Sequence, residues 1–228
     1  MDRLKIKKHH RLEGKSMYII EYIYRIIVIS RFLPLLAKMN VHPVAITFLN
    51  TLLFPFILYC LFFQNFILAA LLIQCYALID HTDGMLARYT NKRTYIGSRL
   101  DRLNDNIFFN AIFIVLTFSM NFSLFFLILV LCCMNIHNFF GMFYFSSRLR
   151  RLKKIRRFGI KKWLLERNFI LGMDCSLMLF LVSVFLLFGK IKMMFCVVAF
   201  LYVLDLIYRL IELKINEKIE KEVIECQK

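Results

Sequence analysis

Long apolar runs are the feature that most constrains what this chain can fold into. A helix needs about 20 residues to cross the hydrocarbon core of a bilayer. Six runs come close to this length, and they lie at 43–63, 66–89, 97–118, 122–146, 168–188 and 191–213. Because the backbone must satisfy its own hydrogen bonds in lipid, and because the runs do not alternate as barrel strands do, helices are expected. The sequence therefore predicts an all-α membrane protein with six transmembrane helices.

The basic residues lie between these runs. A net charge of +16 fits either nucleic acid or an anionic membrane surface. Its placement in the two tails and in the second-to-third and fourth-to-fifth connections favours the membrane, and nucleic acid is not an expected partner. Since Lys and Arg concentrate on the cytoplasmic side, we expect an integral inner-membrane protein with both termini in the cytoplasm. Only Lys190 and Lys192 lie against this pattern.

The segment before the first run has a mixed character. Residues 17–37 combine apolar side chains with Glu21, Arg25 and Arg31. Three charges make a crossing costly, so we expect an amphipathic helix that lies in the membrane interface. The predicted organisation is a cytoplasmic tail and interfacial helix at 1–37, a six-helix transmembrane domain at 38–213 and a cytoplasmic C-terminal tail at 214–228.

Four aspartates interrupt the second and third runs. Asp80 and Asp83 are three residues apart, and Asp101 and Asp105 are four apart, so each pair shares one helix face. An acid at the bilayer centre costs about 2.5–3.5 kcal/mol, and these side chains should therefore face a polar cavity. The short connection makes the two helices antiparallel neighbours, with the carboxylates converging near the cytoplasmic end. Like charges so close need protons or cations, and oxygen ligands suit Mg²⁺ or Mn²⁺.

Small residues and one arginine accompany the acids. Gly84, Ala87 and Gly97 lie along the same face and leave room for a ligand to approach the backbone. The fork-shaped guanidinium of Arg88 is suited to a phosphate. Carboxylates, metal, small residues and an arginine together indicate a site for a diphosphate ligand.

The stretch 80–105 reads DHTDGMLARYTNKRTYIGSRLDRLND. It resembles the signature of the CDP-alcohol phosphotransferases, D-x-x-D-G-x-x-A-R followed after eight residues by G-x-x-x-D-x-x-x-D. All the fixed positions are present, as Asp80, Asp83, Gly84, Ala87, Arg88, Gly97, Asp101 and Asp105. An accidental match has odds on the order of one in a billion per starting position. The six-helix layout behind an interfacial helix resembles the same family.

This resemblance implies roles for individual residues. Asp80, Asp83 and Asp101 would be metal ligands, and Asp105 would complete a site for two Mg²⁺ or Mn²⁺ ions and act as general base. The CDP group would be bound by Asp80, Gly84, Ala87, Arg88, Gly97 and Thr47. Thr47 belongs to the stretch NVHPVAIT, which resembles the family's Pro-Asn-x-x-Thr entry except for Val44. The resemblance also implies a homodimer.

The residues that would bind the acceptor lie outside the signature motif, so the sequence defines them less well. Candidates are Arg151, Arg157, His137 and Asp174. The basic connection at 148–162 would bind a phosphorylated acceptor or, alternatively, serve topology and anionic lipid. His137 would line the acceptor pocket or join two helices by a hydrogen bond. Asp205, an acid in or near the membrane, would have a functional role or, alternatively, pair with Arg209 at i,i+4.

The sequence thus predicts a metal-dependent transferase that moves a substituted phosphate from a CDP-alcohol to a polar alcohol or alcohol phosphate and releases CMP. CDP-diacylglycerol is the favoured donor because many family members use it, and phospholipid biosynthesis is then the process served. One alternative is the same chemistry with a soluble CDP-alcohol and a lipid or glycan acceptor. The other is a cation-coupled transporter, in which the aspartates line an ion path.

Overall fold

The computed structural model describes residues 16–149, 157 and 159–225, most of which are helical. A short strand, β1 (Met17–Tyr18), precedes helix α1, which is continuous through Ile19–Tyr22, a π-helical segment Ile23–Ile29 and Ser30–Lys38. The next three helices are α2 (Pro43–Phe62), α3 (Phe66–Thr90) and α4 (Tyr95–Ser119). Helix α5 consists of Leu124–Phe139, a π-helical segment Phe140–Phe145 and Ser146–Leu149. Then come α6 (Gly159–Leu165), β2 (Phe169–Ile170), α7 (Cys175–Leu187) and α8 (Ile191–Glu225).

Helix ends near the aspartate motif follow from local side-chain chemistry. Pro43 occupies the first turn of α2, where its missing N–H costs nothing. Asn91 adopts φ 57° and ends α3 in the left-handed conformation. Thr94 Oγ1 accepts a hydrogen bond of 3.1 Å from the Gly97 backbone N–H and caps α4. These ends place the connection between α3 and α4 beside the start of α2, where Lys92 Nζ donates to Asn40 Oδ1 at 2.7 Å.

Four of the described helices, α2, α3, α5 and α8, are long and apolar enough to cross a membrane. Helix α4 is equally long, but the polar residues of the motif occupy its first half. Helix α7 has only 13 residues, so the prediction of a helix over 168–188 is wrong in its first part. Asp174 caps α7 at Cys175, and Phe169–Ile170 pair instead with Met17–Tyr18 as parallel strands. Six crossings therefore remain a prediction, whereas an integral membrane protein is well supported.

The helices pack around a shared apolar core. Helix α2 contacts both α3 and α4, α3 also packs on α7, and α5 packs on α8. Helices α3 and α4 meet mainly through long side chains: the ring centroids of Tyr76 and Phe108 are 3.9 Å apart. Tyr76 lies beside Asp105, and Asp80 lies beside Asp101, so the two helices run antiparallel as predicted.

Helix α1 and the end of α8 extend the bundle. Tyr24, Ile29 and Leu33 are buried against the bundle, while Phe32 and Leu35 are exposed. A location of α1 in the membrane interface stays a prediction. Helix α8 continues well beyond the predicted span, and Arg148 of α5 pairs with its Glu217 at 3.0 Å.

Candidate active site

Three carboxylates meet between α3 and α4. Asp80, Asp101 and Asp105 each offer an oxygen, and these oxygens all lie within 4.8 Å of one another. The structure thus brings together three of the four predicted metal ligands. Three like charges at this distance repel unless cations or protons lie between them. An all-oxygen donor set fits Mg²⁺ or Mn²⁺ better than softer metals.

The fourth carboxylate of the motif has a different partner. Asp83 is buried, and its Oδ2 accepts a hydrogen bond of 2.6 Å from Thr47 Oγ1 on α2. Asp83 lies outside the group of three, and its role as a metal ligand stays a prediction. Thr47 is buried as well, so helix α2 fixes the direction of this carboxylate.

A cavity of about 650 Å³ opens beside Asp83, between the start of α2, the end of α3 and the start of α4. Its lining includes Thr47, Asp83, Gly84, Ala87, Arg88, Gly97 and Asp101. Every residue predicted for the CDP group except Asp80 therefore borders one cavity. Lys92 and Arg93 add two further cations to the same wall.

The side chain of Arg88 indicates whether this cavity suits an anionic ligand. Its Nε and Nη2 are buried and have no hydrogen-bond partner in the described part of the protein. Unpaired buried donors are costly, the more so on a charged group. A phosphate in the cavity would supply the missing acceptors, so the residues present fit a diphosphate. Packing also favours glycine at position 97, because a Cβ there would lie 2.8 Å from Thr94 Oγ1 and 3.4 Å from Val44 Cγ2.

The family model for CDP-alcohol phosphatidyltransferase matches residues 40–208. This match covers more than half of the chain and includes all four aspartates of the motif. The chain belongs to the CDP-alcohol phosphatidyltransferase family. No individual curated protein matches it significantly. As a member of this family it is a phosphotransferase, and its reaction takes a phosphate group from a CDP-alcohol donor to an alcohol acceptor.

A second cavity of the transferase borders Asp105, a member of the carboxylate group. It measures about 980 Å³ and runs between α4 and α5. Asp105 borders this larger cavity, whereas Asp101 borders the smaller one. Amides and cations line part of it, including Asn106, Asn110, Asn135, Arg99 and Arg102, and apolar residues such as Phe139 and Phe143 line the rest. The two cavities therefore border different carboxylates of the motif.

One of the acceptor candidates, His137, is held by a neighbouring helix. His137 borders the larger cavity, but its Nε2 lies 2.7 Å from Asp205 Oδ2 on α8. Arg209 Nε lies 2.7 Å from the same oxygen, which confirms the predicted i,i+4 pair. Arg209 Nη2 also donates to Tyr18 Oη at 3.3 Å. His137 thus joins α5 to α8, as the alternative interpretation expects.

Two of the remaining acceptor candidates, Arg157 and Asp174, also have hydrogen-bond partners within the protein. Arg157 Nη1 donates to Glu212 Oε2 at 2.6 Å, and Lys161 Nζ donates to the same oxygen at 3.1 Å. Asp174 accepts hydrogen bonds from the backbone N–H groups of Ser176 and Leu177. Both residues are therefore engaged within the protein. Arg151 lies outside the described residues.

Sequence reasoning missed the polar partners of the motif. Tyr76 Oη donates to Asp105 Oδ1 at 3.1 Å and accepts from Asn104 Nδ2 at 3.1 Å. His81, between the first two aspartates, has its Nε2 2.8 Å from Ser176 Oγ on α7. The available signal was spacing: Tyr76 lies four residues before Asp80, on the same face of α3.

Proposed function

We propose that this CDP-alcohol phosphatidyltransferase transfers the phosphatidyl group of CDP-diacylglycerol to the hydroxyl of a polar alcohol or alcohol phosphate, as a step of phospholipid biosynthesis. The observation that carries the proposal is the group of three carboxylates, which borders two cavities. One cavity has the unpaired Nε and Nη2 of Arg88, and the other has the carboxylate of Asp105.

The donor binds in the smaller cavity. Arg88, with Lys92 and Arg93 on the same wall, provides positive charge for a diphosphate. Gly84 and Ala87 offer little side-chain bulk there, so a nucleotide can lie against the backbone of α3. Thr47 keeps Asp83 directed at this cavity through its 2.6 Å hydrogen bond. The diacylglycerol tails then extend into the surrounding lipid.

Asp80, Asp101 and Asp105, together with Asp83, would hold Mg²⁺ or Mn²⁺, and two ions are proposed. When bound, these ions neutralise the diphosphate and the charge that develops on the departing CMP. The carboxylates alone would repel one another at their separation of 4.8 Å or less. The carboxylates would therefore need bound cations to lie this close, and cation binding would also stabilise the folded arrangement of α3 and α4.

The acceptor approaches through the larger cavity. Its hydroxyl oxygen attacks the phosphorus that carries the diacylglycerol, and a new P–O bond forms. The bond between that phosphorus and the bridging oxygen of CMP breaks, so CMP leaves with both bonding electrons. Asp105, which faces this cavity, accepts the proton of the hydroxyl, as a general base within hydrogen-bond reach does.

The site is proposed to lie near the cytoplasmic face of the inner membrane, with both termini in the cytoplasm. The motif, the connection after α3 and the ion pair between Arg148 and Glu217 all lie at one end of the bundle. The opposite end has short connections, where Gln64 Nε2 donates to Ser119 O at 2.8 Å. We further propose a homodimer, which light scattering of the detergent-solubilised protein would reveal.

Release of CMP tests the function directly. Purified protein with Mg²⁺ or Mn²⁺ and CDP-diacylglycerol is given glycerol 3-phosphate, serine, inositol, inositol phosphate or a sugar alcohol. We expect CMP with one acceptor and no CMP without it. CMP from a soluble CDP-alcohol and a lipid acceptor would contradict the donor and support the alternative chemistry. Ion uptake into vesicles without any nucleotide product would refute the transferase and favour a transporter.

A single substitution tests the role of Asp105 as general base. Asp105→Asn keeps the size of the side chain but cannot accept the proton, so we expect CMP release to be abolished in a folded protein. Ile107→Ala, at an exposed position of the same helix that borders neither cavity, controls for local disturbance of α4 and should retain turnover. Wild-type rates for Asp105→Asn would exclude Asp105 as the base, even if the family reaction takes place.

A further inference from the structure

Tyr76 is a fully buried residue of α3 whose hydroxyl has a carboxylate as its partner. Its Oη lies 3.1 Å from Asp105 Oδ1, and no exposed surface of the side chain remains. Tyrosine is outside the motif, and a phenylalanine would fill the same apolar space. The buried hydroxyl therefore calls for an explanation beyond packing.

The direction of this hydrogen bond is determined by the neighbouring amide. Asn104 Nδ2 donates to Tyr76 Oη at 3.1 Å. Because the phenol oxygen accepts there, its single proton is available for Asp105 Oδ1. The Tyr76 ring is itself held in place by Phe108, at 3.9 Å between centroids, and Phe108 by Phe54, at 5.1 Å. An amide, a phenol and an aromatic cluster thus fix one oxygen of Asp105.

The aspartates at the two edges of the site are held in the same manner. Thr47 holds Asp83 at the smaller cavity, and Tyr76 holds Asp105 at the larger one. The hydrogen bond from Tyr76 to Oδ1 restrains the orientation of the Asp105 carboxylate, which also has an oxygen within 4.8 Å of Asp80 and Asp101. The orientation of a carboxylate decides both which ion it binds and which proton it reaches.

We propose that Tyr76 is a positioning residue, which orients Asp105 both to ligate the divalent cation and to receive the proton of the acceptor hydroxyl. This inference rests on the proposed function. It adds a residue of α3, outside the signature, to the machinery of transfer. Removing a hydrogen-bond partner of a metal ligand typically changes metal affinity or activity by about 10–100-fold.

Tyr76→Phe is the direct test, because it removes the hydroxyl and keeps the ring on Phe108. In CMP release we expect kcat to fall about 10–100-fold, with KM for the CDP-alcohol unchanged. In the absence of substrate, Mn²⁺ titrated into the protein and followed by electron paramagnetic resonance should bind about 10-fold more weakly. A variant that retains the wild-type value in either measurement overturns the proposal.

Tyr202→Phe is the matched control. Tyr202 is equally buried, but its hydroxyl contacts the Met178 sulfur at 3.4 Å, and we expect wild-type kcat and Mn²⁺ affinity. If Tyr76→Phe does not fold, Asn104→Leu removes the donor to the phenol instead, and both quantities should weaken by about 2–10-fold. Unchanged values in that variant would equally refute the positioning role.

A double mutant distinguishes the positioning role of Tyr76 from the proposed function on which it rests. In an Asp105→Asn background, Tyr76→Phe should leave Mn²⁺ affinity nearly unchanged, because its effect passes through Asp105. An undiminished effect in that background would show that Tyr76 acts by another route. If the wild-type protein releases no CMP with any donor, the proposed function is wrong. If the wild-type protein is active and Tyr76→Phe has the same kcat and Mn²⁺ affinity, only the positioning role of Tyr76 is refuted.

Discussion

A methyl group added at Gly172 should destabilise the protein through Asp205. Gly172 lies before α7, and its backbone is outside the left-handed region. A Cβ at this position would lie 2.9 Å from Asp205 Oδ1, closer than Cβ atoms approach in real structures, and 3.3 Å from Tyr18 Cε1. The substitution Gly172→Ala therefore requires the carboxylate to move.

The carboxylate is poorly able to move. Its other oxygen, Oδ2, is 2.7 Å from both His137 Nε2 and Arg209 Nε, so a shift lengthens two charge-assisted hydrogen bonds at once. Overpacking in a well-filled interior costs about 1–3 kcal/mol. For a chain of this size each kcal/mol lowers Tm by about 2–4 °C, so we expect a loss of about 2–12 °C.

Thermal unfolding in detergent, read by loss of the monodisperse gel-filtration peak, measures this loss. Gly141→Ala is the control, since a Cβ there would meet no atom within 4 Å, and it should leave Tm unchanged or raise it. In an Asp205→Ala background the added methyl group has no carboxylate to displace, and its further effect should be smaller. A Gly172→Ala protein with the wild-type Tm would refute the reasoning.

Three further outcomes are expected. Thr47→Val leaves Asp83 without its 2.6 Å donor, and because hydrogen bonds to charged groups contribute about 1.5–3 kcal/mol, kcat/KM for CMP release should fall about 10–100-fold. Thr51→Val, which removes a bond within α2, should retain activity, and equal rates for both variants would contradict the role of Thr47. Glu212→Gln leaves Arg157 and Lys161 without their counter-charge, so trypsin should cut the connection before α7 faster than in the wild-type protein. Glu217→Gln, which removes an exposed ion pair, is the control and should be cut more slowly than Glu212→Gln. Equal cleavage of the two variants would refute this prediction. Chelation of divalent cations should abolish CMP release and lower Tm, with recovery on adding Mg²⁺ or Mn²⁺; full activity after chelation would exclude the proposed metal site.

The motif could be predicted from the sequence because its information is local. Spacings of three and four residues put Asp80, Asp101 and Asp105 on the faces that meet, and the structure confirms their convergence. The pair between Asp205 and Arg209 was predictable for the same reason, since both lie on one helix four residues apart.

Contacts between distant parts of the chain were not predictable in this way. The bonds of Thr47 to Asp83, Tyr76 to Asp105 and His137 to Asp205 join different helices, and periodicity does not reveal which faces meet. The start of α7 was misplaced because residues 168–174 are apolar enough to continue a helix. The cap at Asp174 and the strand pairing of β2 override that tendency.

The parallel pairing of β1 with β2 has a consequence for biosynthesis. Met17 pairs with Phe169, about 150 residues later in the chain. When β1 leaves the ribosome its partner has not yet been synthesised, and α2 to α6 must all emerge first. The strand β1 therefore pairs only late in translation, and a nascent chain halted before Phe169 should leave Met17–Tyr18 accessible to protease.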